Sequence, residues 1–95
     1  MSFEYRTKVV GCQYYYLSTK VNVGDDLTLE KEPDNIYDSN AIKVLYKNGI
    51  VGYLPRLFVK QFNNRWTEDI DVECKCVGIQ NSFELMVMIK GYTRV

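Results

Sequence analysis

Ninety-five residues with twelve basic and twelve acidic side chains and a hydrophobic content of 46% describe one domain around one core, because a chain this short removes only about two-thirds of its unfolded surface from water. Histidine is absent, which excludes Ser-His-Asp and Cys-His nucleophile pairs, His-ligated zinc and His general bases. The remaining carboxylates, lysines and tyrosines form no paired catalytic motif, so the expectation is a non-catalytic protein without metal or other cofactor.

The chain opens Met1-Ser2-Phe3-Glu4-Tyr5-Arg6, which lacks the charged and apolar regions of a signal peptide. No later apolar run approaches the roughly 20 residues of a membrane helix. A soluble, cytoplasmic protein with no membrane partner is expected. Cys12, Cys74 and Cys76 are an odd number of cysteines and are read as reduced thiols, with Cys74 and Cys76 on one core-facing side of a strand.

Val9-Val10-Gly11-Cys12-Gln13-Tyr14-Tyr15-Tyr16 is rich in β-branched and aromatic residues and predicts a strand with a bulge or bend at Gly11. Asp26 to Glu32 alternates Leu27 and Leu29 with polar neighbours, the period of a half-buried strand. The loop Glu32-Pro33-Asp34-Asn35-Ile36-Tyr37-Asp38-Ser39-Asn40-Ala41-Ile42 then concentrates more side-chain hydrogen-bonding groups than a connection requires.

Ala41 to Tyr46 and Ile50 to Leu54 flank Lys47-Asn48-Gly49, and the Asn-Gly pair predicts a hairpin. Pro55 opens a short helix predicted to about Asn64, with Leu57, Phe58, Phe62 and Trp66 at near-helical spacing. A second hairpin, Val72 to Gln80 and Phe83 to Lys90 with a turn near Asn81-Ser82, ends the reading. Together these elements predict a mainly β domain over residues 1–95, a small OB-like, partly open six-stranded barrel with one or two short helices.

Charge is blocked along the chain. Asp25, Asp26, Glu30, Glu32, Asp34 and Asp38 face only Lys31 between residues 21 and 38, whereas Lys43, Lys47, Arg56, Lys60 and Arg65 occur without an acid between 39 and 66. Such blocks can form opposite faces, or be interleaved as strands fold back.

Lys8-Val9-Val10-Gly11-Cys12-Gln13-Tyr14-Tyr15, the run from Leu27 through the acidic loop to Val44, and Gly49-Ile50-Val51-Gly52-Tyr53-Leu54-Pro55 closely resemble the HIRAN domain, in the form of its short bacterial proteins. In the fork-remodelling ATPases that carry it, this resemblance implies an oligonucleotide-binding-like barrel that captures the 3′ end of single-stranded DNA. Carried over by motif, Tyr14 would lie beside the terminal bases, Tyr37 would stack on one, and Asp38 would accept a hydrogen bond from the 3′ hydroxyl. Tyr53 and Phe83 fall at further pocket positions. Aromatic faces accept any base, while a carboxylate senses a hydroxyl that internal linkages lack.

Two positions depart from the pattern. Gln13 stands where DNA-capturing members carry a phosphate-gripping Arg, and Tyr53 replaces a His found in some of them. A Gln supplies no counterion release, so Lys8, Lys43 and Arg56 become the candidate phosphate contacts. Plainer accounts stand beside these roles: Asp34, Asn35, Asp38 and Asn40 as Asx-turn residues, Phe83 and Trp66 as core, Arg56 as a solvated side chain. A protein partner held in the same cleft or on a strand edge is the alternative to DNA, and a Mg²⁺-dependent nuclease using Glu32, Asp34 and Asp38 is a third reading.

Overall fold

The computed structural model describes residues 2–80 and 84–94. Phe83 and the turn expected near Asn81-Ser82 lie outside the described residues. The described residues form six strands, β1 (Ser2–Val9), β2 (Asp26–Lys31), β3 (Ile42–Tyr46), β4 (Gly49–Tyr53), β5 (Ile70–Gln80) and β6 (Glu84–Thr93), and one helix, α1 (Arg56–Phe62), with two 3-10 turns, Cys12–Tyr14 and Tyr16–Lys20. The sheet runs β1-β6-β5-β2-β3-β4 with antiparallel neighbours. Its two outer strands meet at one residue pair: Val10 N–H donates to the Tyr53 carbonyl at 2.8 Å and Tyr53 N–H to the Val10 carbonyl at 3.0 Å. The result is the partly open barrel that the alternating pattern predicts.

That meeting point requires glycine. Gly52 has a φ of 156°, and a Cβ there would lie 2.5 Å from Val9 Cγ1 and 2.6 Å from the Val10 carbonyl oxygen. A side chain would therefore hold β4 away from the end of β1. The Val-Gly-Tyr-Leu-Pro run is thus a barrel-closing device as well as part of the motif.

The strand expected over Val9 to Tyr16 is corrected. β1 begins earlier and ends at Val9, because Gly11 takes a left-handed φ of 77° and turns the chain into the two 3-10 segments. Cys12 drops into the core there, its carbonyl accepting from Ser18 Oγ at 3.0 Å. Phe3, Tyr5, Thr7 and Val9 form the inward row of β1, a period-two signal that the first residues carried and the reading of them as a mere N-terminus missed.

The β3–β4 hairpin is as expected, but its turn is shifted by one residue. Lys47 and Asn48 are the positive-φ pair, at 49° and 70°, and Gly49 already pairs with Tyr46 in the ladder. Gly49 is small for another reason: a Cβ there would collide with Leu17 Cδ2, so the hairpin end packs on the second 3-10 turn.

Phe62 is fully buried and joins Phe3, Tyr5, Phe58 and Trp66, with ring centroids 5.3–5.9 Å away. Burial of such a ring stabilises by about 1.5–3 kcal/mol, and these edge and stacked contacts seat α1 over the sheet. Leu57 departs from the expected apolar stripe, at 80% exposure. Cys74 and Cys76 are buried on one face of β5 as expected, and all three thiols are free.

Strand pairing interleaves the charge blocks. Glu30 sits opposite Lys43 in the β2–β3 register, and the Lys43 ammonium lies 3.2 Å from Glu30 and 3.5 Å from Glu32. Among the described residues no helix is long and apolar enough to cross a membrane.

Candidate nucleic-acid interface

Residues 32–41 leave β2 and return to β3 as a loop closed by its own polar groups. Glu32 N–H donates to the Ala41 carbonyl at 2.9 Å and Ala41 N–H to the Asp38 carbonyl at 3.0 Å. Inside this ring Asn35 Oδ1 accepts from the amides of Tyr37 at 2.9 Å and Asp38 at 3.0 Å, while Asp38 Oδ1 accepts from Asn40 N–H at 2.9 Å. These are the Asx-type contacts that Asn and Asp make two and three residues on. The turn-closing account therefore holds for Asn35, and Asp38 shares in it.

The loop holds its large side chains outward. Tyr37 is 83% and Ile36 87% exposed, and Tyr37 has no ring partner among the described residues. Residues 30–37 and Tyr53 line an open groove of about 550 Å³. Its rim carries Glu30, Glu32 and Asp34, so it is open and predominantly acidic.

Tyr53 joins the parts of the site. Its backbone pairs with Val10, three and four residues before Gln13 and Tyr14, and its hydroxyl donates to Glu32 Oε1 at 2.9 Å. Burial first, then the neighbouring Glu32 carboxylate, pushes the Tyr53 phenol up to about 12. The Asn35 amide, 3.1 Å from the same oxygen, leads in holding Glu32 below its ordinary carboxylate range, with Tyr53 and Lys43 adding to it against partial desolvation. A hydrogen-bonded Glu30 raises the Lys43 ammonium. The sequence suggests Glu32 as a loop acid and as a carboxylate of the nuclease reading, not as the partner of Tyr53; its Glu-x-x-Asn spacing to Asn35 was the available signal.

The remaining candidates are placed as follows. Gln13 and Tyr14 lie on the first 3-10 turn and are exposed, Tyr14 at 79%. The three candidate phosphate contacts are each engaged with an acid: Lys8 with Glu84 at 3.7 Å, Lys43 with Glu30 and Glu32, and Arg56 with Asp38 at 3.5 Å. Arg56 also donates to the Tyr37 carbonyl at 2.9 Å. At the other end of α1, Asn63 Nδ2 donates to the Asn40 carbonyl at 3.0 Å, a tie with no sequence signal.

The family model for the HIRAN domain matches residues 2–95. Helicase-like transcription factors of Oryctolagus cuniculus and Mus musculus are 48% and 46% identical over 52 residues, which is 54% of this chain and 5% of either relative. The chain thus spans a small fraction of those proteins. The crystal structure of the HIRAN domain of human HLTF superimposes with a TM-score of 0.77 at 29% identity, covering 96% of this chain and 76% of that one. The NMR structure of the HLTF HIRAN domain in its DNA-bound conformation gives 0.69 at 30% identity, covering 96% and 75%. A Lactobacillus plantarum protein shares the fold, with a TM-score of 0.70 at 19% identity over 96% of this chain and 97% of that one. The matched model extends over nearly every residue, and the chain belongs to the HIRAN domain family.

Proposed function

We propose that this chain is a non-catalytic nucleic-acid-binding module that recognises the 3′ end of single-stranded DNA. The observation that carries this reading is the Tyr37–Asp38 pair: an exposed aromatic face beside a carboxylate, on a loop whose backbone is held by its own side chains. Stacking on such a ring contributes about 1–3 kcal/mol per base without regard to sequence. Asp38 accepts from a terminal hydroxyl, and a terminal phosphate in its place meets like charge. Similarity to an HLTF domain solved in a DNA-bound conformation supports the nucleic-acid class.

Tyr14 and Tyr53, with Phe83 and Gln13, are the further contacts in this proposal. Lys8 and Lys43 must exchange their carboxylate partners for phosphate to contribute, so affinity is expected to be modest and steeply weakened by salt. Fluorescence anisotropy with labelled single strands ending in a 3′ hydroxyl or a 3′ phosphate tests the reading at low salt. Tighter binding of the hydroxyl end is expected; equal or undetectable binding of both refutes it.

The acidic rim of Glu30, Glu32 and Asp34 favours one second reading, a protein-interaction module that uses the same groove. A basic peptide that binds in competition with no nucleic acid, and loses affinity on Glu32→Gln, is its expected signature.

A further inference from the structure

We propose that Arg56 is the positioning residue of this site, acting on Tyr37 and Asp38 and making no phosphate contact of its own. The inference rests on the end-reading proposal for its functional consequence, and on geometry for the positioning itself.

Tyr37 presents an exposed ring with no aromatic neighbour among the described residues. Packing therefore does not set where that ring points, and its backbone must. The peptide groups on either side of its Cα are both held: Asn35 Oδ1 takes the N–H at 2.9 Å and Arg56 Nη2 donates to the carbonyl at 2.9 Å. The same guanidinium edge places Nε 3.5 Å from Asp38 Oδ2, while Asp38 Oδ1 is occupied by the Asn40 amide. One planar group thus spans the carbonyl of the stacking residue and the carboxylate of the hydroxyl-sensing residue.

A lysine cannot reproduce this. Its ammonium is a point donor on a flexible stem, whereas the guanidinium offers two donors in a fixed plane. The ion pair is loose and exposed, so by itself it is worth little; its value lies in restricting the loop before a ligand arrives. Arg56 is the first residue of α1, and Asn63 at the helix C-terminus anchors Asn40. The helix, seated by Phe58 and Phe62 against the sheet, is the rigid element to which both ends of the Tyr37–Asn40 segment are tied.

Arg56→Ala and Arg56→Lys, each first shown to melt cooperatively, separate positioning from phosphate contact. In the free protein, amide hydrogen exchange at Tyr37, Asp38, Asn40 and Ala41 is expected to speed up at least several-fold in both variants; unchanged exchange overturns the positioning role. In binding, both variants are expected to weaken the 3′-hydroxyl strand about tenfold, or about 1.4 kcal/mol. Preference over the 3′-phosphate strand should collapse and the salt dependence stay as in the wild type. A phosphate contact instead predicts a log–log salt slope shallower by about 0.7 in Arg56→Ala, with affinity restored by Arg56→Lys, and that outcome overturns the proposal. If the wild type binds neither strand, the end-reading function fails, while the exchange measurement still decides whether Arg56 orders the loop. If Arg56→Ala does not fold, Arg56→Lys carries both measurements.

Discussion

Replacing Gly52 by Ala is expected to open the barrel at its closure and to cost more than Gly24→Ala. The new Cβ would stand 2.5 Å from Val9 Cγ1 and 2.6 Å from the Val10 carbonyl oxygen, both well short of the 3.4 Å at which ordinary contact begins. A backbone oxygen has no rotamer with which to retreat, so β4 and the end of β1 must part where Val10 and Tyr53 exchange hydrogen bonds. Overpacking of this kind costs about 1–3 kcal/mol, and a non-glycine residue at a φ of 156° adds about 1–3 kcal/mol of backbone strain. The expected loss is therefore about 2–6 kcal/mol, roughly 10–30 °C in Tm for a domain of this size. Gly24→Ala is the control: Gly24 also has a positive φ, of 97°, but open space where the Cβ would go. It should lose only the conformational share, about 1–2 kcal/mol. Urea unfolding followed by the fluorescence of Trp66, the single tryptophan, which packs against Phe62, measures both. A Gly52→Ala protein no less stable than Gly24→Ala would refute the closure argument.

Other expectations follow from the loop and the core. Asp38→Asn keeps an acceptor for the Asn40 amide and should leave Tm within a few degrees while abolishing preference for the 3′-hydroxyl strand; Asp38→Ala should in addition lose about 1–2 kcal/mol of stability, since a turn hydrogen bond goes with it. Equal stability of the two variants in urea would remove the turn-closing role. Glu32 has a depressed folded pKa, so its contribution is present above its unfolded value of 4.5 and is lost as pH falls through the folded one. Tyr53 is raised from 10.0 to about 12, so its contribution is present below 10.0 and is lost as pH rises through about 12. Tyr53→Phe should remove the alkaline loss and shrink the acid one, and Tm profiles against pH that match the wild type would contradict the Tyr53–Glu32 bond. Burial pushes the Cys12, Cys74 and Cys76 thiols up, Cys74 to about 12. None of the three should react with an aromatic disulfide reagent at about pH 8 in the native protein, where an ordinary thiol does, and all three should react in denaturant.

The elements whose signals are local were legible. Alternation of Leu27 and Leu29, the existence of the hairpin around Asn48-Gly49, a short helix after Pro55, and the pairing of the last two strands were legible, because side-chain period and turn chemistry act within a few residues. Where local chemistry competed, the reading failed. Three tyrosines after Val9 have strand propensity, but Gly11 in the left-handed region and the pull of Cys12 into the core end the strand first. The turn falls on Lys47-Asn48, one residue before the Asn-Gly pair, and Gly49 is already in the ladder, packed beside Leu17 from a distant part of the chain.

Sequence alone established the barrel class, the family motif and the Tyr37–Asp38 pair as its most chemically suggestive part. It could not say which charges meet, since that depends on register: antiparallel pairing of β2 with β3 sets Glu30 against Lys43 and interleaves two blocks that look segregated along the chain. Nor could it show that α1 would reach back to the loop, with Arg56 on the Tyr37 carbonyl and Asn63 on that of Asn40, nineteen and twenty-three residues away. Contacts of that separation leave no periodic trace, because their partners become neighbours only once the sheet has curved and the helix is seated on it. The residues proposed to touch a ligand come from a motif, whereas the contacts that hold their loop are decided by tertiary packing.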